Sequence, residues 1–189
     1  MESDKIKKFM TLAGQSVQER LTTGTPEQRK LGAQLLLSEV LEYVIDGLGV
    51  IPSVNGQPIT EADSLTYASS TEARPSPSEM LDGLADVAYT MYWNAHAFGV
   101  PLEEGFDLVC DNNLEKFVKL EGSTWSAGPL AATEWGCRLG ISWPKEVVSV
   151  TVIAIGSEFY AVGKDERGKV RKPSSYRSVD LAAVLSRAA

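Results

Sequence analysis

The sequence predicts a mainly α-helical fold, in which a four-helix bundle is followed by a C-terminal β-hairpin arm and a short terminal helix. Two observations predict the bundle: four segments before residue 122 carry apolar residues at helical spacing, and capping residues or glycines mark their ends. One observation predicts the arm. Residues 147–155, VVSVTVIAI, are rich in β-branched residues and lead through Gly156-Ser157 into a second strand.

Each of the four helices is predicted from its own start and stop signals. Thr25 and Pro26 resemble a cap and a first-turn proline, and they open the second helix. Ser78 is predicted to cap the third helix, which Gly99 ends. The helices are predicted over residues 4–20, 26–46, 79–98 and 102–120.

The remaining segments are predicted to be a long loop and the arm. Residues 50–77 contain four prolines and many Ser and Thr residues, and loops of that length inside a compact domain are usually functional or disordered. We expect residues 1–122 to form the helical catalytic part and residues 123–189 to form a C-terminal arm of the same domain. The arm holds strands predicted over 147–155 and 158–163 and a hairpin turn predicted at 165–168, and a short apolar helix ends it.

The charge and hydropathy of the chain argue against several classes of partner. The formal net charge is −7, whereas proteins that wrap nucleic acid need a basic surface. No apolar run approaches the roughly 20 residues of a membrane helix, and the N-terminal sequence MESDKIKKFM lacks the apolar region of a secretory signal. We therefore expect a cytoplasmic protein that binds neither nucleic acid nor membranes.

Acidic residues at positions i, i+3 and i+7 occur three times in the predicted helices. At 100° per residue the three side chains fall within about a 60° arc, so they point the same way. On the fourth helix the triplet lies away from the apolar side, which predicts a solvated surface. The three triplets are Glu39/Glu42/Asp46, Glu79/Asp82/Asp86 and Glu104/Asp107/Asp111.

The triplet on the second helix predicts a metal site. Apolar residues surround almost the whole circumference of that helix, so Glu39 and Glu42 are set into apolar surface. Like charges in such a place repel one another and resist desolvation, and a bound cation removes both penalties. Together with Glu79, Asp82 and Asp86 on a facing helix, they would form an all-oxygen pocket, which selects Mg²⁺ or Mn²⁺.

An aromatic side chain continues the acidic stripe of the third helix. Trp93 lies one to two turns beyond the acids on that helix. A stacking ring beside a metal cluster suits a ligand that has charge at one end and a flat ring at the other, so Trp93 is a candidate substrate-binding residue. The alternative is that Trp93 is an ordinary core residue.

Five stretches carry a resemblance to a known family. They are Phe9-Met10 with Gly14-Gln15, LGAQLLLSEVLE at 31–42, the helix at 79–99, VCDNNLEK at 109–116, and DERGKVRKPSSYRSVDL at 165–181. Together they resemble the MazG-like branch of the all-α nucleoside triphosphate pyrophosphatases, and the last stretch is similar to a tail of some phage members. The resemblance implies that family's four-helix bundle, and a phage-encoded protein would act in the host cytoplasm.

The resemblance also implies roles for particular residues. The family's metal ligands fall on Glu39, Glu42 and Asp86, and either Glu79 or Asp82 takes the remaining place. Its contacts to the nucleotide, sugar or phosphate fall on Gln15, Asn113 and Lys116.

The implied reaction is hydrolysis of a nucleoside triphosphate to the monophosphate and pyrophosphate, with a deoxynucleotide, dGTP first, as the substrate. Mg²⁺, or Mn²⁺ in its place, would neutralise the phosphates and acidify an attacking water, and a carboxylate such as Glu39 would act on that water. Two alternatives stay open: a phosphoribosyl-ATP pyrophosphohydrolase and a non-enzymatic helical interaction module. The wide apolar arcs at 30–48 and 79–98, and the family, indicate a homo-oligomer, a dimer or tetramer.

Basic residues cluster near the end of the arm, although the chain as a whole is acidic. One hypothesis is that the arm folds over the metal site and places Lys169 or Lys172 near the triphosphate, where each would act as a point charge and water would be excluded. The alternative is a solvated hairpin.

Overall fold

Two antiparallel β-sheets accompany the helices in the computed structural model, which describes residues 2–122, 124–136 and 139–188. The helices are α1 (Glu2–Leu12), α2 (Pro26–Glu42), α3 (Pro77–Phe98), α4 (Leu102–Leu114) and α5 (Ala182–Ala188). The strands are β1 (Ser53–Val54), β2 (Gln57–Pro58), β3 (Val118–Leu120), β4 (Gly128–Pro129), β5 (Val147–Ile155) and β6 (Glu158–Asp165). A π-helical turn, Tyr43–Gly47, extends α2, and short 3₁₀ turns lie at Ala62–Ser64 and Ala132–Glu134.

The predicted fold class is wrong, because the chain is not an all-α four-helix bundle. Helices hold 44% of the residues and strands hold 15%, which describes a mixed fold. Among the α-helices, over the described residues, extensive packing is confined to the pair α1 and α4. The predicted hairpin lies inside a four-stranded sheet with the order β3-β6-β5-β4. The physical reason is that β6 forms antiparallel ladders on both of its edges, so neighbouring segments are drawn into a sheet.

Capping residues fix the starts of α2 and α3. Thr25 caps α2 as predicted, in a reciprocal capping box. The predicted cap of α3 is wrong, because Ser76, and not Ser78, accepts the backbone N–H of Glu79, at 3.5 Å. Pro77 then occupies the first helical position, where its fixed φ suits the helix and its missing N–H costs nothing.

Two helices end earlier than predicted. α1 stops at Leu12, and Gly14 follows with a φ of 73°, a left-handed conformation that terminates helices. α4 stops at Leu114 instead of continuing to residue 120, because residues 118–120 pair with β6 as strand β3. Strand pairing therefore overrides the helical pattern at the end of α4.

Contacts between residues divide the chain into two compact units. The first unit consists of Met1–Val17 together with Tyr89–Ala189, and the second unit consists of Gln18–Ala88. Residues 18–88 are all described, and Leu41 alone among them is buried. Large apolar side chains are exposed along α2 and the first half of α3, namely Leu31, Leu35, Leu36, Leu37, Val40, Met80, Leu81 and Leu84. The second unit therefore lacks a hydrophobic core of its own within a single chain.

The first unit, by contrast, has a core on each face of its sheet. Side chains alternate along β6, so Tyr160 and Val162 pack with Leu12 of α1 and with Phe117. Ala161 points to the opposite face, into a cluster with buried side chains of β5 and with partly buried tryptophans, Trp125, Trp135 and Trp143. The sheet is thus covered by α1 on one side and by the segment between β3 and β5 on the other.

Gly163 of β6 lies directly under the ring of Trp143, and this contact gives a stability prediction. A Cβ added at Gly163 would lie 2.4 Å from Trp143 Cε3, closer than atoms can approach. We expect Gly163→Ala to lower the free energy of unfolding by about 1–3 kcal/mol, the usual cost of overpacking. Thermal unfolding measures the change.

Gly105→Ala is the matched control, because a Cβ at this α4 position meets nothing within 4 Å. Alanine favours a helix over glycine by about 1 kcal/mol, so this variant should be as stable as the original chain or more stable. Equal melting temperatures for Gly163→Ala and the unchanged chain would contradict the close contact.

Candidate functional site

The five predicted metal ligands lie on α2 and on the first half of α3, within the second unit. All five carboxylates are exposed: Glu39, Glu42, Glu79, Asp82 and Asp86. Across the described part of the chain, no three His, Cys, Asp or Glu side chains are grouped so that they could hold a metal ion. Within the described residues of a single chain, the predicted ligands are therefore not grouped around one metal position.

The acids on α2 and α3 nevertheless lie beside exposed apolar side chains. Leu35 on α2 is 51% exposed, and Leu81 and Leu84 on α3 are 72% and 60% exposed. The exposure of these apolar side chains to water is unfavourable. Burying them against another surface would also desolvate the neighbouring carboxylates. Several desolvated carboxylates need compensation by cations or by protonation. The carboxylates of these two helices are thus solvated in a single chain, and any surface that covered them would have to compensate their charge.

Each acid of the third triplet is paired with a basic side chain of another helix. Lys5 Nζ of α1 lies 2.5 Å from Asp107 Oδ1 and 2.7 Å from Asp111 Oδ1, and Arg187 of α5 pairs with Glu104. The hydrogen bonds from Lys5 to Asp107 and Asp111 raise the pKa of the Lys5 ammonium above its usual value. This triplet ties α4 to its neighbours on an exposed surface, so it offers no cluster of uncompensated charge.

The two residues of the Asn-x-x-Lys segment are already in contact. Lys116 Nζ donates a hydrogen bond to Asn113 Oδ1 at 2.7 Å, and the ammonium lies 5.7 Å from the ring centroid of Phe9 on α1. Gln15, just after α1, is half-buried in the same unit. An amide and an ammonium side by side can bind sugar hydroxyls or phosphate oxygens.

An aromatic surface covers the second half of α3. Trp93 is 57% exposed and Tyr89 is 70% exposed, and with Tyr92 and His96 they line a cavity of about 490 Å³. The alternative interpretation of Trp93 as a core residue of the single chain is therefore wrong. Exposed rings of this kind can stack on a flat ligand or pack against another apolar surface.

The lysines of the arm differ in their surroundings. Both side chains are exposed, and Lys172 Nζ in addition lies 4.5 Å from the ring centroid of Tyr176, a cation–π contact. Both follow a turn that is organised by Asp165, whose carboxylate accepts the backbone N–H of Lys169 at 2.8 Å and the Nε–H of Arg171 at 2.9 Å. The turn predicted at 165–168 is confirmed by the hydrogen bond from the N–H of Gly168 to the Asp165 carbonyl oxygen.

Asp165 is an organising residue that the sequence pattern alone did not reveal. Burial opposes its ionisation, but the Lys169 N–H and the Arg171 guanidinium outweigh this effect and hold the pKa of its carboxyl below the usual range. The signal that could have shown it is the acidic pair Asp165-Glu166, followed by basic residues at every second position from 167 to 171. The predicted substrate lysines thus follow a turn that several hydrogen bonds to Asp165 stabilise.

The chain has no match among known proteins in three comparisons. No protein-family model matches it, and neither a curated protein nor a solved structure does. None of its helices, over the residues that the structure describes, is both long enough and apolar enough to cross a lipid bilayer.

The unequal surroundings of the acidic triplets give a prediction about metal binding. Mg²⁺ should raise the melting temperature of the unchanged chain, because a ligand that binds only the folded state stabilises it. Glu39→Gln with Glu42→Gln should abolish this increase. Differential scanning fluorimetry with and without Mg²⁺ measures it.

Glu104→Gln with Asp111→Asn is the control pair, with the same change in charge. It removes exposed ion pairs, which contribute little to stability because water and salt screen them, so the metal-free melting temperature should fall only slightly. The increase with Mg²⁺ should persist. If both pairs of substitutions abolish the increase equally, the distinction between the triplets is wrong.

Proposed function

We propose that this chain hydrolyses a nucleoside triphosphate to the monophosphate and pyrophosphate, using Mg²⁺ or Mn²⁺ held by carboxylates that meet only when copies of the chain associate. One observation carries the proposal: the acids of α2 and α3 lie among large apolar side chains that a single chain leaves exposed. An exposed apolar surface of this extent is typical of an interaction site.

A second copy of the chain is the partner that this surface favours. Leu41 is the one buried residue among residues 18–88. Because burial of apolar side chains is the main source of stability, the second unit needs further apolar contacts to be stable. A symmetric dimer supplies the same surface from both sides, so one copy's α2 and α3 can pack on the other's. Packing of this kind would also crowd the acids, and a divalent cation would relieve their repulsion. We therefore propose a homo-oligomer, a dimer or tetramer.

Other side chains support a nucleotide as the substrate. The exposed ring of Trp93 suits stacking on a base, and the contact between Asn113 and Lys116 suits a sugar or phosphate. Gln15, Lys169 and Lys172 remain proposed substrate contacts. The resemblance favours a deoxynucleotide, with dGTP first, while phosphoribosyl-ATP would undergo the same type of cleavage. Glu39 and Glu42 are the proposed catalytic residues, and Glu39 would orient the attacking water or accept its proton.

A second candidate function is a non-enzymatic helical interaction module. The observation that favours it is the lack, among the described residues, of any three side chains grouped to hold a metal. Such a module would use the exposed surface of α2 and α3 to bind its partner, and its acids would be solvated charges. It would hydrolyse no nucleotide, whatever metal is added.

The proposed reaction is tested with a panel of nucleoside and deoxynucleoside triphosphates, assayed for their products. With Mg²⁺ we expect a monophosphate and pyrophosphate. Glu39→Gln, Glu42→Gln and Asp86→Asn should each lower turnover by about 100-fold or more, because each removes charge stabilisation in the reacting complex. A diphosphate and orthophosphate would contradict the site of cleavage, and no hydrolysis of any nucleotide would favour the interaction module.

The proposed association is tested by light scattering. At micromolar concentration the mass should be two or four times the 20.4 kDa of one chain. Leu81→Glu with Leu84→Glu places charges in the proposed contact and should shift the protein towards the monomer. Leu185→Glu is the control, because Leu185 is an exposed apolar residue of α5, 54% exposed, that belongs to the first unit and not to the apolar surface of the second. A monomeric mass for the unchanged chain would contradict the proposal.

A further inference from the structure

A groove in the second unit brings together three basic side chains. It lies between the start of α2 and the loop that precedes α3, and its volume is about 270 Å³. Arg29 and Lys30 line it from α2, and Arg74 lines it from the loop. None of the lining residues that the structure describes is acidic, although the chain has 25 acidic and 18 basic residues. The groove is therefore a local positive site on an acidic protein.

The basic groups of the groove are held in different ways. Arg29 Nη1 donates hydrogen bonds to the carbonyl oxygens of Gly24, at 2.6 Å, and Thr23, at 3.2 Å. These bonds orient the guanidinium and leave its other N–H groups to bind an anion. In the part of the chain that the structure describes, neither Lys30 nor Arg74 forms an ion pair or a side-chain hydrogen bond. Their charges are thus available to a ligand.

The positive charges of the groove already act on the carboxylate of Glu27, which lies near them at the start of α2. The backbone N–H of Glu27 and the side chain of Thr25 lower the pKa of Glu27, and the positive charges of Lys30 and Arg29 add to this effect. The electrostatic field at the start of α2 therefore favours a negative group. The helix dipole of α2 acts in the same direction.

The rest of the lining suits a phosphorylated ligand. Ser69 and Ser70 contribute hydroxyl groups, and Tyr67 contributes a half-buried aromatic ring. Ser70 Oγ accepts the backbone N–H of Glu72, at 3.2 Å, and that of Ala73, at 2.9 Å, so its own proton remains free to donate. Cations and hydroxyls recognise phosphate oxygens, and a ring can pack against a sugar or base.

We propose that this groove binds the phosphate group of a small phosphorylated ligand, at a site separate from the acidic residues of α2. Arg29 and Glu39 are ten positions apart on one helix, and a rise of 1.5 Å per residue separates them by about 15 Å. A phosphate in the groove thus does not share the carboxylates that were proposed to hold a metal. The inference does not depend on the proposed reaction, since it requires no hydrolysis and no divalent cation.

Calorimetric titration with inorganic phosphate, pyrophosphate and a nucleoside monophosphate, in EDTA, tests the proposal. EDTA removes divalent cations that could join pyrophosphate to the carboxylates. We expect binding that weakens as salt is added, because charge–charge attraction is screened. The probe that binds most tightly identifies the ligand: inorganic phosphate or pyrophosphate if the phosphate alone is recognised, and the monophosphate if Tyr67 also contacts the nucleoside.

The decisive variant is Lys30→Gln with Arg74→Gln, which leaves the structural contacts of Arg29 in place. It should weaken binding of the tightest probe by about tenfold or more, since hydrogen bonds between charged groups are the strong ones. The control, Lys7→Gln with Arg20→Gln, makes the same change in charge at exposed positions outside the groove, and it should change the affinity by about twofold or less.

A second measurement avoids any substitution. In the unchanged chain, titration with the same probe should shift the backbone amide resonances of residues 67–75 and of the start of α2. The proposal is overturned if no probe binds in EDTA, if the Lys30/Arg74 variant binds as tightly as the unchanged chain, or if the resonance shifts lie elsewhere. Loss of hydrolysis with retained phosphate binding would separate this proposal from the proposed function.

Discussion

Strand β6 is the element on which the first unit depends. It forms ladders with β3 on one edge and with β5 on the other, and its side chains enter both hydrophobic clusters of the sheet. Val162 is almost completely buried, and Gly163 leaves room for the ring of Trp143. A change in the register of β6 would turn these side chains to the wrong face, so the strand fixes α1, β3 and β5 together.

The second unit is organised differently, because its helices carry acids and apolar residues on surfaces that remain exposed. A helix that is apolar around most of its circumference is stable in water only when other surfaces cover it. In a single chain Glu39 and Glu42 are exposed to water, and among the described residues no three possible ligands are grouped to hold a metal. Association and metal binding are therefore coupled in the proposed function, since either one makes the other more favourable.

The features that were predicted correctly from the sequence are local ones. The cap at Thr25, the β-branched run of β5 and the turn at 165–168 each depend on residues a few positions apart. The four-stranded sheet was missed because β3 and β4 are two or three residues long and exist only through pairing with distant strands. The spacing of the acids within each triplet is also a local feature. Whether two triplets meet depends on how distant helices pack, and the spacing within one helix does not determine this.

The first unit is discontinuous, and this has a consequence for the order in which the protein folds. Lys164 Nζ donates to the carbonyl oxygen of Ala13, and Lys8 Nζ donates to the Tyr160 hydroxyl, across separations of 151 and 152 residues. During synthesis at about 5–20 residues per second, α1 leaves the ribosome roughly eight to thirty seconds before β6. Contacts so distant in sequence close a long loop and slow folding. Until β6 arrives, the apolar side of α1 is open to chaperones, and the N-terminal segment is the last part of the core to be secured.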